Sequence, residues 1–147
     1  MMNLTDLMKT SISEVLETMF YLPVEFQENL SKEEIEAFKK EINTGCRLKV
    51  TGSVEGCFQL FIPDPLLLNM TQNFMGENPE SCTKKYLDGT LKETLNMIIG
   101  NALKSMKTKT PPDLDIPEII SISDMSSDSL LIVETTDGSM IMQIECK

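Results

Sequence analysis

Apolar residues near the start of the chain recur every three or four positions, which is the spacing of one face of an α-helix. The recurring residues are Leu4, Met8, Ile12, Val15, Leu16 and Met19. We therefore predict a long amphipathic helix from Leu4 to Phe20. Pro23 ends it, because proline lacks an amide proton and disfavours helical geometry in the residue before it. A short strand is predicted at Val24–Gln27.

A second helix is predicted from Ser31 to about Ile42, and its composition is mostly charged. Ser31 and Glu34 have the spacing of a capping box, in which each side chain bonds the other residue's free backbone amide. Its few apolar residues, Ile35, Phe38 and Ile42, form one narrow stripe. We expect this helix to be a surface excursion held by that stripe.

Two β-hairpins are predicted, one in each half of the chain. Alternation of apolar and polar residues defines their strands, and glycine-containing turns join them. The first hairpin has strands at 46–51 and 57–62 around the turn 52–56, and the second has strands at 130–135 and 139–144 around Asp137-Gly138. A single further strand is predicted near 116–121. A helix from about Pro65 to Met75, capped by Gly76, and a loop at 78–83 follow the first hairpin.

The longest helical pattern begins at Thr83 or Lys84 and extends to Met106, before Pro111-Pro112. On a wheel of about 100° per residue with Glu93 at zero, its large apolar residues fall in one arc between about 120° and 240°. This arc, which should face the core, contains Leu87, Leu91, Leu95, Ile98, Ile99, Ala102 and Met106.

The order of elements in the first half, helix, strand and hairpin, is repeated in the second half. Such an order predicts a duplicated unit, although sequence identity between the halves is too low to establish it. Hairpins interrupted by helices are typical of an α+β fold. We predict an antiparallel sheet with the long helices on one face, and one domain over residues 1–147.

Charge and composition narrow the classes of function. The 13 basic and 23 acidic residues give a net charge of −10, which disfavours nucleic acid and membrane surfaces as partners. Histidine is absent from the sequence, which excludes Ser-His-Asp and Cys-His nucleophile systems. No apolar run is long enough to span a membrane, and the N-terminus lacks a signal pattern, so a cytoplasmic protein is expected.

The four cysteines do not form a metal-binding or disulfide pattern. Cys46, Cys57, Cys82 and Cys146 include no Cys-x-x-Cys pair. In a reducing compartment such scattered cysteines are most often small buried apolar side chains. We therefore expect this chain to bind neither a metal nor another cofactor of its own.

The outward arc of the longest helix contains the most unusual surface in the sequence. Its members are Gly89, Glu93, Asn96, Met97, Gly100 and Lys104. A carboxylate and a carboxamide thus lie one helical turn apart between two glycines. Glycine within a helix costs about 1 kcal/mol relative to alanine, and on an outward face it lets a foreign backbone approach. The arc is either a docking surface for a partner or an ordinary polar helix face.

Residues Glu93 to Ala102 resemble the signature of the CheC, CheX and FliY phosphatases of bacterial chemotaxis, in which Glu-x-x-Asn precedes a Gly-Asn-Ala continuation. A proline follows later in that family, and Pro117 falls about where it is expected. The specific residues cover about 88–117, while the order of elements resembles the family over about 4–146. The presence of one motif, in the second long helix, resembles the CheX type.

The resemblance implies hydrolysis of the aspartyl phosphate of a CheY-type response regulator. In that role Asn96 would position the attacking water, and Glu93 would anchor the regulator through a lysine. Gly89, Met97, Gly100 and Lys104 would contribute to docking. The regulator would bring the Mg²⁺ ion, and members of the CheX type are expected to form homodimers by pairing sheet edges.

Two alternatives remain open at this stage. The same fold could dock a response regulator or a flagellar switch component without catalysis, although a pure scaffold has no chemical reason to keep Asn96 beside Glu93. The first helix contains Glu14 and Glu17, but neither is followed three residues later by asparagine. Only one catalytic site is therefore expected. The acidic helix at 31–42 departs from the family pattern.

Overall fold

The structure, a computed structural model, describes residues 3–75, 83–106, 108–125 and 129–146. The α-helices in this part of the chain are α1 (Leu4–Phe20), α2 (Lys32–Lys39), α3 (Asp64–Met75) and α4 (Lys84–Lys104). The strands are β1 (Glu25–Gln27), β2 (Thr44–Thr51), β3 (Gly56–Ile62), β4 (Asp113–Leu114), β5 (Glu118–Ile120), β6 (Leu130–Thr135) and β7 (Gly138–Cys146). A short 3₁₀ turn occupies Ile122–Asp124.

Helix α1 begins and ends where the sequence predicts. The Asn3 side chain accepts a hydrogen bond from the backbone N–H of Asp6 at 2.8 Å and caps the first turn. At the other end Tyr21 adopts the left-handed conformation, with φ of 55°. This allows the Leu22 N–H to bond the Leu16 carbonyl at 3.0 Å, so the helix closes before Pro23 is reached.

Helix α2 has the predicted capping box. The Glu34 N–H donates to Ser31 Oγ at 3.2 Å, and the Ser31 N–H donates to Glu34 Oε1 at 3.1 Å. The helix ends at Lys39, three residues earlier than predicted. Ile42 follows in a turn, with its N–H bonded to the Lys39 carbonyl at 3.2 Å.

The described strands form one antiparallel sheet in the order β1-β6-β7-β3-β2-β4, with β5 also paired to β2. The strands of each half occupy equivalent places in this order. The single strand of the first half, β1, pairs with the hairpin strand β6 of the second half, and β5 of the second half pairs with β2 of the first. The two hairpins meet at the centre through β7 and β3. This exchange supports the predicted duplication more strongly than the element order does.

Helices α1, α3 and α4 pack on one face of the sheet, as predicted for the long helices. Their contact surface is a large apolar core in which side chains from all three helices meet alternate residues of the strands. Helix residues in this core include Met8, Leu16, Leu67, Met70, Leu95 and Ile99, and strand residues include Leu48, Phe58, Leu60, Val133 and Met142.

The opposite face of the sheet is also covered, which the sequence did not predict. Phe61, Ile132 and Ile141 point to this face and form a second, smaller core with Ile42 and Met125. Phe38 of α2 and Ile122 pack against it. The charged helix is therefore more than a surface excursion, because its narrow apolar stripe helps to close the second face of the sheet.

Several strand boundaries differ from the predicted ones. Strand β4 has only two residues and was not predicted, and β5 is shorter than the predicted 116–121. Gly138, predicted to lie in the turn, is the first residue of β7 and pairs with Thr135. The predicted Gly76 cap and all but Thr83 of the loop at 78–83 lie outside the described residues. Within the described residues, no helix combines the length and hydropathy required of a membrane span.

Candidate functional site on the exposed face of helix α4

Helix α4 buries the face that the helical wheel predicts. Leu91, Leu95, Ile98, Ile99 and Ala102 are at most 1% exposed, and Leu87 is partly buried. The helix ends at Lys104, two residues earlier than predicted, so Met106 lies just beyond it and is also partly buried. The buried arc is wider than predicted, because Thr90, Thr94 and Leu103 are buried too. The buried Thr94 hydroxyl is satisfied within the helix, since Thr94 Oγ1 donates to the Thr90 carbonyl at 2.7 Å.

The remaining arc of α4 is narrow and faces solvent. Gly89, Glu93 and Lys104 are exposed, and Asn96, Met97 and Gly100 are half-buried. We call these six residues the α4 stripe. The structure thus places all six predicted site residues on one continuous surface of one helix, with Glu93 and Asn96 separated by less than one turn.

Glu93 and Asn96 are unpaired within the part of the chain that the structure describes. Neither side chain forms a hydrogen bond or an ion pair there, whereas Lys84 and Asp88, earlier in the same helix, pair at 2.9 Å. An unpaired carboxylate and an unpaired carboxamide keep their hydrogen-bonding capacity for another molecule. Because Glu93 is exposed, water hydrates its charge, and the carboxylate requires no partner within the chain.

The two glycines of the α4 stripe are not required by contacts with the described residues. A Cβ atom built at Gly89 or at Gly100 would meet no atom of those residues within 4 Å, apart from the chain neighbours and the backbone of the helix itself. Both residues have ordinary helical backbone, so no left-handed φ explains them. Close packing against this chain's own elements therefore does not account for the roughly 1 kcal/mol that each glycine costs the helix.

Shallow grooves lie on both sides of the C-terminal part of the α4 stripe, from Met97 to Lys104. The groove between α4 and α1 has a volume of about 480 Å³ and is lined by Glu14, Val15, Thr18, Met19, Met97, Gly100, Asn101 and Lys104. The groove on the other side has a volume of about 460 Å³ and is formed with the segment 108–114. Gly100 and Lys104 border both grooves, so this part of the stripe is a ridge between them, without a side chain at Gly100.

Helix α1 does not carry a second Glu-x-x-Asn site, as expected from the sequence. Its Glu14 carboxylate accepts a hydrogen bond from Asn101 Nδ2 of α4 at 2.8 Å, and Phe20, three residues after Glu17, is buried in the core. The wheel places Asn101 beside the stripe but does not identify its partners. Ser11 and Glu14 lie one turn apart on α1, and this spacing is the signal in the sequence that could have indicated a shared polar partner for Asn101.

The described cysteines are poor nucleophiles. Burial raises the pKa of the Cys46 thiol from its ordinary value of 9.0 to about 12, and burial also raises the pKa of Cys57, which is half-buried. Both thiols therefore stay protonated near neutral pH. No group of three or more histidine, cysteine, aspartate or glutamate side chains is arranged to hold a metal ion in the described part of the chain.

Comparison with known proteins identifies the family. Residues 44–136 match the family model described as "Chemotaxis phosphatase CheX". This range is more than half of the chain, and it contains the whole α4 stripe and the first hairpin, β2 and β3. No curated protein sequence matches the chain.

Solved structures share the fold over nearly the whole chain. The chemotaxis protein CheX from Vibrio vulnificus superposes with a TM-score of 0.77 at 17% identity, covering 99% of this chain and 97% of that one. A CheC-like superfamily protein from Shewanella sp. PV-4 gives 0.73 at 20% identity, covering 99% of both. A chain of the CheX-CheY-BeF₃-Mg²⁺ complex from Borrelia burgdorferi gives 0.71 at 16% identity, covering 100% and 99%.

Identities of this size show a common fold and leave the assignment of the family to the match over residues 44–136. The fold supports that match. The chain has the exchanged strands and the exposed face of α4, and the solved structures that share its fold are CheX and CheC-like proteins. The chain belongs to the CheX family of chemotaxis phosphatases.

Proposed function

We propose that this protein hydrolyses the aspartyl phosphate of a CheY-type response regulator, with Asn96 positioning the water and Glu93 anchoring the regulator. One observation carries the proposal: the two side chains project from the exposed face of α4 without any partner in the described chain. The family assignment supports phosphatase chemistry, and the name of the Borrelia complex supports a CheY-type partner.

Hydrolysis of an aspartyl phosphate requires positioning more than acid or base chemistry. The water oxygen forms a new bond to phosphorus, the bond from phosphorus to the aspartate oxygen breaks, and the aspartate carboxylate leaves with the electron pair. The protons of the water remain with the released phosphate and solvent. Because the acyl phosphate is already activated, a water held in line with the leaving oxygen is the main requirement.

Asn96 has the groups that this step needs. Its amide oxygen can accept a hydrogen bond from the water, while its amide nitrogen can donate to a phosphoryl oxygen. A carboxamide does not titrate, so it holds the water without taking a proton. A position on a 21-residue helix packed against the main core limits its movement, which favours a fixed water geometry.

Glu93 provides a charge rather than a proton acceptor. Its carboxylate lies nearly one turn before Asn96 on the same exposed face, where it can pair with a lysine at the regulator's active site. That contact would place the phosphoryl group opposite Asn96. In this assignment Glu93 governs docking, and Asn96 governs the chemical step.

The Mg²⁺ ion of the reaction is assigned to the regulator. The described residues offer no group of three ligands of the kind that holds a metal. When bound, the ion neutralises charge on the phosphoryl oxygens and on the leaving carboxylate. The name of the Borrelia complex includes Mg²⁺ together with CheX and CheY.

The rest of the α4 stripe is proposed to receive the regulator. At Gly89 and Gly100 a partner's backbone can approach the helix, Met97 offers an adaptable apolar contact, and Lys104 offers a positive charge at the end of the ridge. The grooves on both sides of Gly100 allow a partner segment to cross α4 at a position that has no side chain.

The proposal is tested by following loss of ³²P from a labelled CheY-type receiver domain, with the wild-type protein and with Glu93→Ala and Asn96→Ala. We expect the wild type to accelerate the loss and both variants to be impaired. Equal rates for all three would refute the assignment. Tight binding of the receiver without any acceleration would instead show the non-catalytic docking module that the sequence leaves open.

We also propose that two copies associate through a sheet edge. Strand β1 ends the sheet on one side and the short strands β4 and β5 end it on the other. An edge strand presents backbone groups that another strand can pair with. A two-fold pairing of equivalent edges would extend the sheet through both copies.

A further inference from the structure

Asn101 directly follows Gly100 of the α4 stripe and joins α4 to α1. Its Nδ2 atom donates to Glu14 Oε2 at 2.8 Å and to Ser11 Oγ at 3.2 Å. Because a carboxylate can only accept, the nitrogen of the amide must face α1. Both hydrogens of the amide group are thus engaged by the neighbouring helix.

The Ser11 hydroxyl extends this contact back into α4. Ser11 is 1% exposed, and its Oγ donates to the backbone carbonyl of Ile98 at 2.6 Å. One hydrogen bond therefore joins Asn101 of α4 to Ser11 of α1, and a second joins Ser11 to the Ile98 carbonyl, one turn earlier on α4. We call Asn101, Ser11, Glu14 and the Ile98 carbonyl the α1–α4 clamp.

We propose that Asn101 is a positioning residue, which through the α1–α4 clamp fixes the rotation of α4 and so the place of Asn96. This inference rests on the proposed function. The other contacts between α4 and the core are largely apolar, and apolar burial has no directional preference. The clamp supplies directional bonds that a rotated or shifted helix could not keep.

The position of the clamp on the helix suits this role. On the wheel with Glu93 at zero, Asn101 lies at about 80° and Asn96 at about 300°, on opposite sides of the exposed arc. With a helix radius of about 5.5 Å including side chains, a rotation of about 10° moves a side-chain tip by about 1 Å. Displacements of that size can cost about 100-fold in a reaction that depends on alignment.

The exposed end of the clamp also lies beside the docking surface. Glu14 and Asn101 both line the groove between α1 and the α4 stripe, and both line a second groove formed by the start of α1 and the end of α4. Their hydrogen bond crosses the line where these two grooves meet. A regulator bound on the stripe would therefore contact a helix whose rotation the clamp already holds, so that the docking contacts need not align Asn96 themselves.

The test uses a variant with nearly unchanged shape. Asn101→Asp replaces both donor hydrogens with an acceptor, so a second carboxylate faces Glu14 and the hydrogen bonds from position 101 to α1 are lost. Glu14→Gln retains an acceptor oxygen and should preserve the clamp. In the double variant the new amide at position 14 can donate to the new carboxylate at position 101, which restores a bond between α1 and α4 in the reversed direction.

The full chain is assayed with a ³²P-labelled CheY-type receiver domain, and kcat and KM are measured separately. We expect Asn101→Asp to lower kcat by about tenfold or more with KM changed less than about threefold, since alignment and not docking is disturbed. The double variant should recover most of the kcat that Asn101→Asp loses, measured against Glu14→Gln alone. Asn69→Asp, the same substitution at an exposed position of α3, is the matched control.

Two outcomes would overturn the inference. One is a wild-type kcat for Asn101→Asp. The other is a loss of kcat in Asn101→Asp that the added Glu14→Gln does not reverse, together with a lower melting temperature in both Asn101→Asp and the double variant. That result would show a merely structural role for Asn101. A further check is made in the Asn96→Ala background: there Asn101→Asp should change kcat by less than about twofold, because a positioning residue acts only through the group that it positions.

The clamp can also be examined if no receiver is dephosphorylated by the wild type, in which case the proposed function itself fails. Backbone hydrogen exchange of residues 96–102 is then compared among the same variants. Exchange that is faster in Asn101→Asp and slower again in the double variant would show that the clamp restrains α4. Identical exchange in all variants would refute the clamp independently of activity.

Discussion

Gly45 lies directly opposite Phe61 in the antiparallel pair of β2 and β3, and the phenyl ring occupies the space that a side chain at position 45 would need. A Cβ atom built at Gly45 would lie 2.5 Å from Phe61 Cδ1. Position 45 is thus a glycine because the chain's own packing requires it. Gly100 shows the opposite case, since a Cβ there would meet no side chain or neighbouring element within 4 Å among the residues that the structure describes.

This contrast leads to a prediction about Gly100→Ala. The substitution should stabilise the free protein by about 1 kcal/mol, because alanine is the better helix former and has open space at this position. The same methyl group should hinder a partner's backbone and raise the Kd for a beryllofluoride-loaded receiver domain. Thermal unfolding and titration of the receiver measure the two effects.

Gly45→Ala is the matched control for the same chemical change. It should lower the free energy of unfolding by about 1–3 kcal/mol, as overpacking does, while leaving the affinity of the folded protein for the receiver unchanged. If Gly100→Ala bound the receiver as tightly as the wild type, the docking role of this glycine would be wrong.

A second prediction separates the roles of Glu93 and Asn96. Asn96→Ala should lower kcat for receiver dephosphorylation by about 100-fold with little change in KM, because only the alignment of water is lost. Glu93→Ala should mainly raise KM, by about tenfold, because it removes a charge that contacts the regulator. The measurement is the dependence of ³²P release on receiver concentration.

Glu33→Ala serves as the control for removal of a negative charge. Glu33 is an exposed carboxylate on α2, which packs against the opposite face of the sheet, and its loss should leave both kinetic constants unchanged. A fall in kcat alone for Glu93→Ala, with no effect on KM, would contradict the anchoring role and favour direct participation in the chemical step.

A third prediction concerns stability at high pH. Burial raises the pKa of Cys46 from 9.0 to about 12 in the folded protein, so the folded state retains the thiol proton over a range where the unfolded state loses it. The free energy of unfolding should therefore fall between about pH 9 and pH 12, by at most about 1.4 kcal/mol per pH unit from this group. Below pH 9 the thiol should contribute no pH dependence.

Denaturant unfolding of the wild type and of Cys46→Ala between about pH 8 and about pH 12 isolates the contribution of Cys46 to the pH dependence of the free energy of unfolding. Alanine cannot ionise, so the variant should show a constant loss from its smaller side chain and a shallower decline above about pH 9. Parallel curves for the two proteins from about pH 8 to about pH 12 would show that Cys46 is not protected by burial.

A fourth prediction addresses association of two copies. Light scattering at micromolar concentration should give twice the 16.5 kDa of one chain, as expected if equivalent sheet edges pair. The dimer should persist in high salt, since backbone hydrogen bonds are not screened as surface charges are. A mass of 16.5 kDa under these conditions would rule out the proposed association.

The sequence predicted the long elements well because their patterns are repeated over many residues. About six turns of α4 constrain its orientation, so every predicted core residue of that helix is buried or partly buried. The two-residue strand β4 has no pattern of its own and exists only through pairing with β2. Likewise, the sequence pattern around Phe38 and Ile42 does not show that these two residues close the second face of the sheet.

The exposed face of α4 was also predictable, but its surroundings were not. Helical periodicity places Glu93, Asn96 and Gly100 on one side of the helix. The wheel leaves Thr94 out of the predicted core arc, because helical periodicity cannot show that a threonine hydroxyl is satisfied by its own helix. The partners of Asn101 are about ninety residues away in sequence and depend on how the two helices pack.

The order of the strands has a consequence for how the two halves of the molecule came together. Each half lends its single strand to the hairpin of the other, β1 to β6 and β5 to β2. Neither half could therefore satisfy its hairpin edge by itself. An isolated half with the same pairing would complete its sheet only by exchanging its single strand with a second copy, and the covalent link between the halves makes that exchange intramolecular.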